Sequence, residues 1–392
     1  MDKLIYMDNS ATTPVKKEVL ETMLPYFSEK FGNPSSVYSL GSQSKVAVEE
    51  SREKIAKAIG AKPKEIFFTA GGSEADNWAI KGIAYANKEK GNHIITSKIE
   101  HHGILHTCEY LEKQGFKVTY LDVDEYGVVD LEQLKDSIND ETILISIMYA
   151  NNEIGTIQPV EEIGQIAKEK GIYFHTDAVQ AVGHIKIDVN KLNIDMLSMA
   201  AHKFYGPKGI GALYIRQGVK IDPLISGGGQ ERNRRAGTEN VPGIVGMGKA
   251  IELAYKDIEE KNQKLICLRE RLIKGILDNI DHVRLNGHPT NRLPGNVNVC
   301  FEFIEGESLL LSLDMEGIAA SSGSACTSGT LDPSHVLLAI GLPHEIAHGS
   351  LRLSLGDFNT EEEIDYVVEK LVDIVARLRA MSPLYEKVKE GK

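Results

Sequence analysis

Thr142-Ile-Leu-Ile-Ser-Ile-Met-Tyr149 is apolar at almost every position and holds no glycine, proline or charge. A strand with one face in water would alternate apolar and polar residues. This run does not alternate, so it suits a strand covered on both faces in the middle of a parallel sheet. Other β-rich runs flank it at 65–69, 93–96 and 117–123 on one side and at 172–176 and 211–215 on the other. Segments with helical spacing lie between them, at 74–86, 105–113 and 161–170. Strand, helix, strand at this rhythm predicts an α/β fold, a mainly parallel sheet flanked by helices.

The rhythm changes after about residue 243. One long helical stretch is expected over 243–279, then a strand over 296–303, a helix over 307–316, the Gly/Ser-rich 321–329 and a strand over 351–355. The closing helix has a marked start: Thr360 as cap and Glu363 as its reciprocal partner. Its apolar stripe is Ile364, Val367, Val368, Leu371, Ile374, Val375 and Leu378. The expected division is a large domain over 15–260 and a smaller α+β domain formed by 1–14 and 261–392.

The 392 residues carry 44 basic and 56 acidic side chains, a net charge of -12, which argues against a nucleic-acid or anionic-membrane surface. A local cluster such as Arg232, Arg234 and Arg235 still suits a small anion. The start shows no signal-peptide pattern and no run reaches membrane-spanning length, so the expected location is the reducing cytoplasm. The four cysteines, Cys108, Cys267, Cys300 and Cys326, form no C-x-x-C pair. Three of them sit in helical or strand patterns and read as small buried hydrophobes. Cys326 sits in Ser321-Ser-Gly-Ser-Ala-Cys326-Thr-Ser-Gly329, a run of small polar residues that suits an exposed, reactive thiol.

Three further constellations bear on chemistry. In Asp195-Met-Leu-Ser-Met-Ala-Ala-His-Lys203, a lysine follows an apolar run and precedes a glycine-rich turn. Partial burial there would supply the free amine that Schiff-base chemistry needs, although a surface lysine before an ordinary turn is the commoner case. In His175-Thr-Asp177-Ala-Val-Gln180, a carboxylate stands at the end of a predicted strand, where it can meet a ligand or cap a helix. In Thr69-Ala-Gly71-Gly72-Ser73-Glu74, a strand turns into a helix whose first N–H groups can hold a phosphate. Arg352 can grip a carboxylate or form an ordinary ion pair. His102 and His106 have i, i+4 spacing, but no acid or water-activating motif accompanies them, and no metal is expected.

Taken in order, these motifs resemble the cysteine desulfurases of the NifS/IscS type, within the class V aminotransferase superfamily of fold type I pyridoxal-phosphate enzymes. The likeness begins at Asp8-Asn-Ser-Ala-Thr-Thr-Pro14 and Phe31-Gly-Asn-Pro-Ser-Ser36. It continues through Ala150-Asn-Asn-Glu-Ile-Gly155, Arg234-Arg-Ala-Gly-Thr238 and the 321–329 run to Leu351-Arg-Leu-Ser-Leu-Gly356. That run resembles the long loop of this branch rather than the short loop of SufS-like relatives.

The resemblance implies pyridoxal 5'-phosphate as cofactor, L-cysteine as substrate and alanine as product. It implies that Lys203 binds the cofactor covalently and moves the Cα proton, and that His101 stacks on the ring and works as acid or base. Asp177 would pair with the ring nitrogen and Gln180 with the phenolic oxygen. Gly72, Ser73 and His202 would hold the phosphate, and Thr238 would reach the phosphate of a second subunit, so a homodimer is implied. Asn152 and Arg352 would fix the substrate carboxylate. Cys326 would take the sulfur and pass it to an acceptor or iron–sulfur scaffold protein. One position departs from the pattern. Ala200 stands where the family usually has a phosphate-binding serine, a loss worth about 1.5–3 kcal/mol unless another donor substitutes. Two alternatives stay open: another activity on the same scaffold (selenocysteine lyase or small-molecule aminotransferase), and a cofactor-poor assembly protein.

Overall fold

In the computed structural model, which describes residues 4–322, 333–383 and 385–386, the apolar run around Leu144 forms a strand with all five residues buried. Counting from Ile5–Tyr6 as β1, the large sheet contains β2 (Ile66–Thr69), β3 (His93–Ser97), β4 (Lys117–Leu121), β5 (Thr142–Ser146), β6 (Tyr173–Asp177), β7 (Met196–Ala200) and β8 (Gly211–Ile215). Their order is β2-β8-β7-β6-β5-β3-β4. β8 runs antiparallel to both its neighbours, and the other pairings are parallel.

Helices Gly72–Ala86, His102–Glu112 and Val160–Lys170 make the crossovers. Covering both faces removes the alternation from β5, as its sequence requires. β7 is also buried throughout. In sequence, Met-Leu-Ser-Met-Ala shows only an apolar stretch before Lys203, because a five-residue run without alternation carries no period.

A second, antiparallel sheet has the order β12-β10-β9, with β9 (Val283–Leu285), β10 (Asn296–Phe301) and β12 (Ser350–Ser354). It has its own core, in which Val297, Val299, Leu351 and Leu353 meet Leu268, Leu272, Val367 and Leu371 of helices Ile258–Asn279 and Glu361–Ala380. Ile5 and Met7 join this core, and β1 pairs in parallel with β11 (Ile318–Ala319). The capping box at Thr360 is present: its hydroxyl accepts from Glu363 N, and Glu363 Oε2 accepts from Thr360 N. Among the described residues no helix is long and apolar enough to cross a membrane.

Two expectations are corrected. The 243–279 stretch is two helices, Val241–Tyr255 and Ile258–Asn279, broken where Asp257 takes φ 55° in the left-handed region. Neither glycine nor proline marks that break. Cys267 is exposed, whereas Cys108 and Cys300 are buried as expected. The neighbours Leu265 and Leu268 take the inward face of the helix and leave Cys267 on the outward one.

Candidate active site

The C-terminal ends of the large sheet's parallel strands converge on one cavity of about 310 Å³. That is where open α/β sheets bind ligands. A hollow of about 490 Å³ lies at the opposite end, beside Asn139, Thr142 and Tyr173, and includes none of the candidate residues. The C-terminal cavity is lined by Gly72, Ser73, His101, Asn152, Asp177, Gln180, His202, Lys203 and Arg352. Nine of the eleven residues singled out from sequence thus meet in one place. Thr238 is exposed and lies apart from this lining. Cys326 lies outside the described residues.

Each element delivers its residue at its end. Asp177 closes β6, and Lys203 ends a single 3₁₀ turn directly after β7. Gly72 and Ser73 open the Gly72–Ala86 helix, so their N–H groups have no intrahelical partner and face an anion-favouring dipole. His101 caps the His102–Glu112 helix, its Nδ1 accepting from Gly103 N at 3.0 Å. Arg352 arrives from the small sheet.

The segment Asp8–Thr13 joins these parts. Lys203 Nζ donates to Ser10 O at 2.6 Å and Ala11 O at 2.8 Å. Gln180 Nε2 donates to Ser10 O at 2.9 Å. Thr13 Oγ1 donates to His202 O, and His202 Nδ1 lies 3.2 Å from Thr12 Oγ1. Asp8 Oδ1 accepts from Arg352 Nη2 at 2.9 Å, while Arg352 Nη1 donates to Asn152 O at 3.2 Å. Arg352 is 3% exposed, and its Nε has no hydrogen-bond partner among the described residues.

Electrostatics set the protonation states. Burial pushes the Asp177 carboxyl up, opposed by His101, the Val179 N–H and Lys203. A pyridinium nitrogen beside it would restore the charged form, because an opposite charge lowers a carboxyl pKa. Burial lowers His202 to about 4, helped by Lys203 and Lys208, so the ring is neutral near pH 7. Burial also lowers His175 to about 3, and its two nitrogens lie 2.9 Å from Ser146 Oγ and 2.9 Å from Ser198 Oγ. Ser198 is therefore committed to His175 and does not replace the serine missing at Ala200. A Cβ on Gly72 would stand 3.7 Å from the Ala200 methyl, which places Ala200 at the phosphate end.

The residues present suit pyridoxal phosphate. An amine, a buried carboxyl, an anion-binding helix start with a neutral imidazole, and an arginine with a spare donor line one cavity of suitable size. The class V aminotransferase family model matches residues 5–367.

The chain belongs to the class V aminotransferase family.

Members of this family are pyridoxal-phosphate enzymes. Within it, the chain is 67% identical to "Cysteine desulfurase IscS" of Methanosarcina thermophila over 386 residues, covering 98% of this chain and 95% of that one. It is 66% identical to the protein of the same name from Clostridium botulinum strain Hall, covering 100% and 99%. A solved "NifS-like protein" superposes with a TM-score of 0.91 at 43% identity, covering 96% of this chain and all of the other. "SspA in complex with cysteine" superposes with a TM-score of 0.81 at 41% identity, covering 91% and 100%.

Sequence reasoning passed over three contributors. Ser10 and Ala11 act through backbone carbonyls, which no side-chain pattern reveals. Asp76 lines the cavity, is 1% exposed, and its Oδ1 has no hydrogen-bond partner among the described residues. Its spacing of three from Ser73 on one helix could have pointed to it.

Proposed function

We infer that the chain is a pyridoxal-phosphate-dependent cysteine desulfurase that converts L-cysteine to L-alanine and moves the sulfur onto Cys326. The observation that carries this reading is the gathering of Lys203, Asp177, His101 and Arg352 in one cavity of a class V chain. Its relatives that are 67% and 66% identical, both cysteine desulfurases by name, support it.

When bound, pyridoxal phosphate draws electrons from the substrate Cα, which makes a β-carbon–sulfur bond breakable. The Arg352 guanidinium and the Asn152 amide hold the substrate carboxylate and so fix which substrate bond is aligned for reaction. Lys203 Nζ takes the proton from Cα and returns it. The Asp177 carboxylate holds a proton on the ring nitrogen, and Gln180 donates to the phenolic oxygen. His101 covers the ring and exchanges protons. Gly72, Ser73 and the neutral His202 hold the phosphate. The Cys326 thiolate attacks the substrate Sγ: an S–S bond forms, the Cβ–S bond breaks, and the carbon gains a proton. The balance is L-cysteine plus the Cys326 thiol giving L-alanine plus a Cys326 persulfide, with no outside oxidant.

The working unit is a homodimer in the cytoplasm, with the exposed Thr238 of each subunit serving the phosphate of the other. The persulfide passes to an acceptor or scaffold protein of iron–sulfur cluster assembly. The division into 15–260 and 1–14 with 261–392 is part of the same reading, supported by the separate cores of the two sheets. Replacing Cys326→Ala tests the assignment. The loaded enzyme keeps its yellow colour and loses cysteine-dependent sulfide and alanine production. Full activity in that variant refutes the acceptor role.

A further inference from the structure

We propose that Glu153 is a positioning residue that ties the pocket wall to the start of the His335–Ala339 helix through the Ser334 hydroxyl. Glu153 follows Asn152 and is 6% exposed. Its main chain is fixed on one side: Asn151 Oδ1 accepts from Glu153 N, and Glu153 O accepts from Asn296 Nδ2 at 3.1 Å and Asn298 Nδ2 at 3.2 Å. Asn298 stands opposite Arg352 in the small sheet. Glu153 is therefore rigidly placed relative to both carboxylate-binding residues.

Its carboxylate bonds a different element. Glu153 Oε2 accepts a hydrogen bond from Ser334 Oγ. The same Ser334 oxygen accepts from Val336 N at 3.1 Å and Leu337 N at 3.3 Å, so it caps the helix. The next residue makes a parallel tie, with His335 Nε2 3.0 Å from Glu100 O, beside His101. Val336, Leu337 and Ile340 already pack on Ile99, Met148 and Ile154. Apolar contact alone would hold the helix down. A carboxylate buried in that seam costs free energy unless it is paired, so its use lies in fixing position rather than in adding stability. Burial raises Glu153 to about 7, against the pull of Ser334, Arg352 and His101.

The inference rests on Cys326 being the sulfur acceptor. Cys326 lies in sequence between Ser321, which exchanges backbone hydrogen bonds with Arg352, and Ser334. One flank of that stretch is thus fastened to a pocket residue and the other to the neighbour of one, and the Glu153–Ser334 bond sets the second fastening.

The test uses the holoenzyme with Glu153→Ala, Glu153→Gln, Ser334→Ala and the Glu153→Ala/Ser334→Ala pair. Two quantities are measured: kcat for alanine from L-cysteine, and half-saturation by L-alanine read from the cofactor absorbance, which involves no sulfur transfer. Loss of the tie lowers kcat about tenfold in each alanine variant, as misplacement of a reacting group does. The pair falls no further than either single variant, Glu153→Gln recovers most of the rate by keeping an acceptor for Ser334, and half-saturation by L-alanine stays put. Additive losses, an unchanged kcat in Ser334→Ala, or weakened L-alanine binding in step with kcat overturns the proposal. A wild-type enzyme that makes no alanine from L-cysteine defeats the functional assignment and this inference with it. An active wild type without the coupled loss defeats the inference alone.

Discussion

Replacing Arg352→Lys keeps a positive charge beside Asp8 but removes the guanidinium fork. In the structure Nη2 serves Asp8 Oδ1 and Nη1 serves Asn152 O, and Nε is buried without a hydrogen-bond partner among the described residues. A single ammonium on a shorter stem cannot satisfy those two acceptors and still present a planar pair of donors to a carboxylate. One charge-assisted hydrogen bond to the substrate is lost, worth about 1.5–3 kcal/mol. That corresponds to a fall of about ten- to a hundredfold in kcat/KM. The carboxylate is held before and during reaction alike, so the loss appears mainly in KM for L-cysteine, with kcat little changed. Steady-state alanine production over a range of L-cysteine concentrations measures both. A titration with L-alanine, followed by cofactor absorbance, weakens by a similar factor. A variant with wild-type KM, or one whose kcat collapses at constant KM, would show that Arg352 serves Asp8 and the fold rather than the substrate.

Two other perturbations follow from the same geometry. Ala200→Ser returns a hydroxyl to the phosphate end of the cavity and should tighten cofactor binding about tenfold or more in a titration of the apoenzyme; unchanged affinity would mean that the site already has another donor. His175 is lowered to about 3 from an ordinary 6.5, so between those values the unfolded chain binds the extra proton. Its contribution is fully present above pH 6.5 and is lost as pH falls toward 3, at about 1.4 kcal/mol per pH unit. Urea unfolding from pH 7 to pH 4 should show that slope, and His175→Gln, which can still bond Ser146 and Ser198, should flatten it; an equal slope in both proteins refutes the assignment.

The sheet was legible where a physical cause acts locally. Burial on two faces erases alternation, so Thr142–Ser146 announced its place, and the Thr360/Glu363 pair marked a helix start by itself. The break at Asp257 was silent because a non-glycine residue takes the left-handed conformation there. Cys267 was misjudged because a helical pattern alone does not say which face a residue takes. The candidate site was legible as a set of motifs, yet its closure was not. Lys203 meets Ser10 and Ala11 across 193 and 192 residues of chain, through carbonyls common to every residue. Glu153 looked like part of a motif without a task, since its partner Ser334 is defined only by the fold.

The Asp8–Thr13 segment has a consequence for the timing of synthesis. It is made well before its partners: Lys203 lies 193 residues beyond Ser10, and Ser354, whose hydroxyl accepts from Ser10 N at 2.8 Å, lies 344 beyond. At about 5–20 residues per second, the opening residues wait on the order of tens of seconds for the strand that fastens them. Until about then Arg352 does not exist, and Asp8 Oδ1 has no guanidinium to accept from. A nascent chain can therefore fold much of its large sheet before the cavity has its arginine.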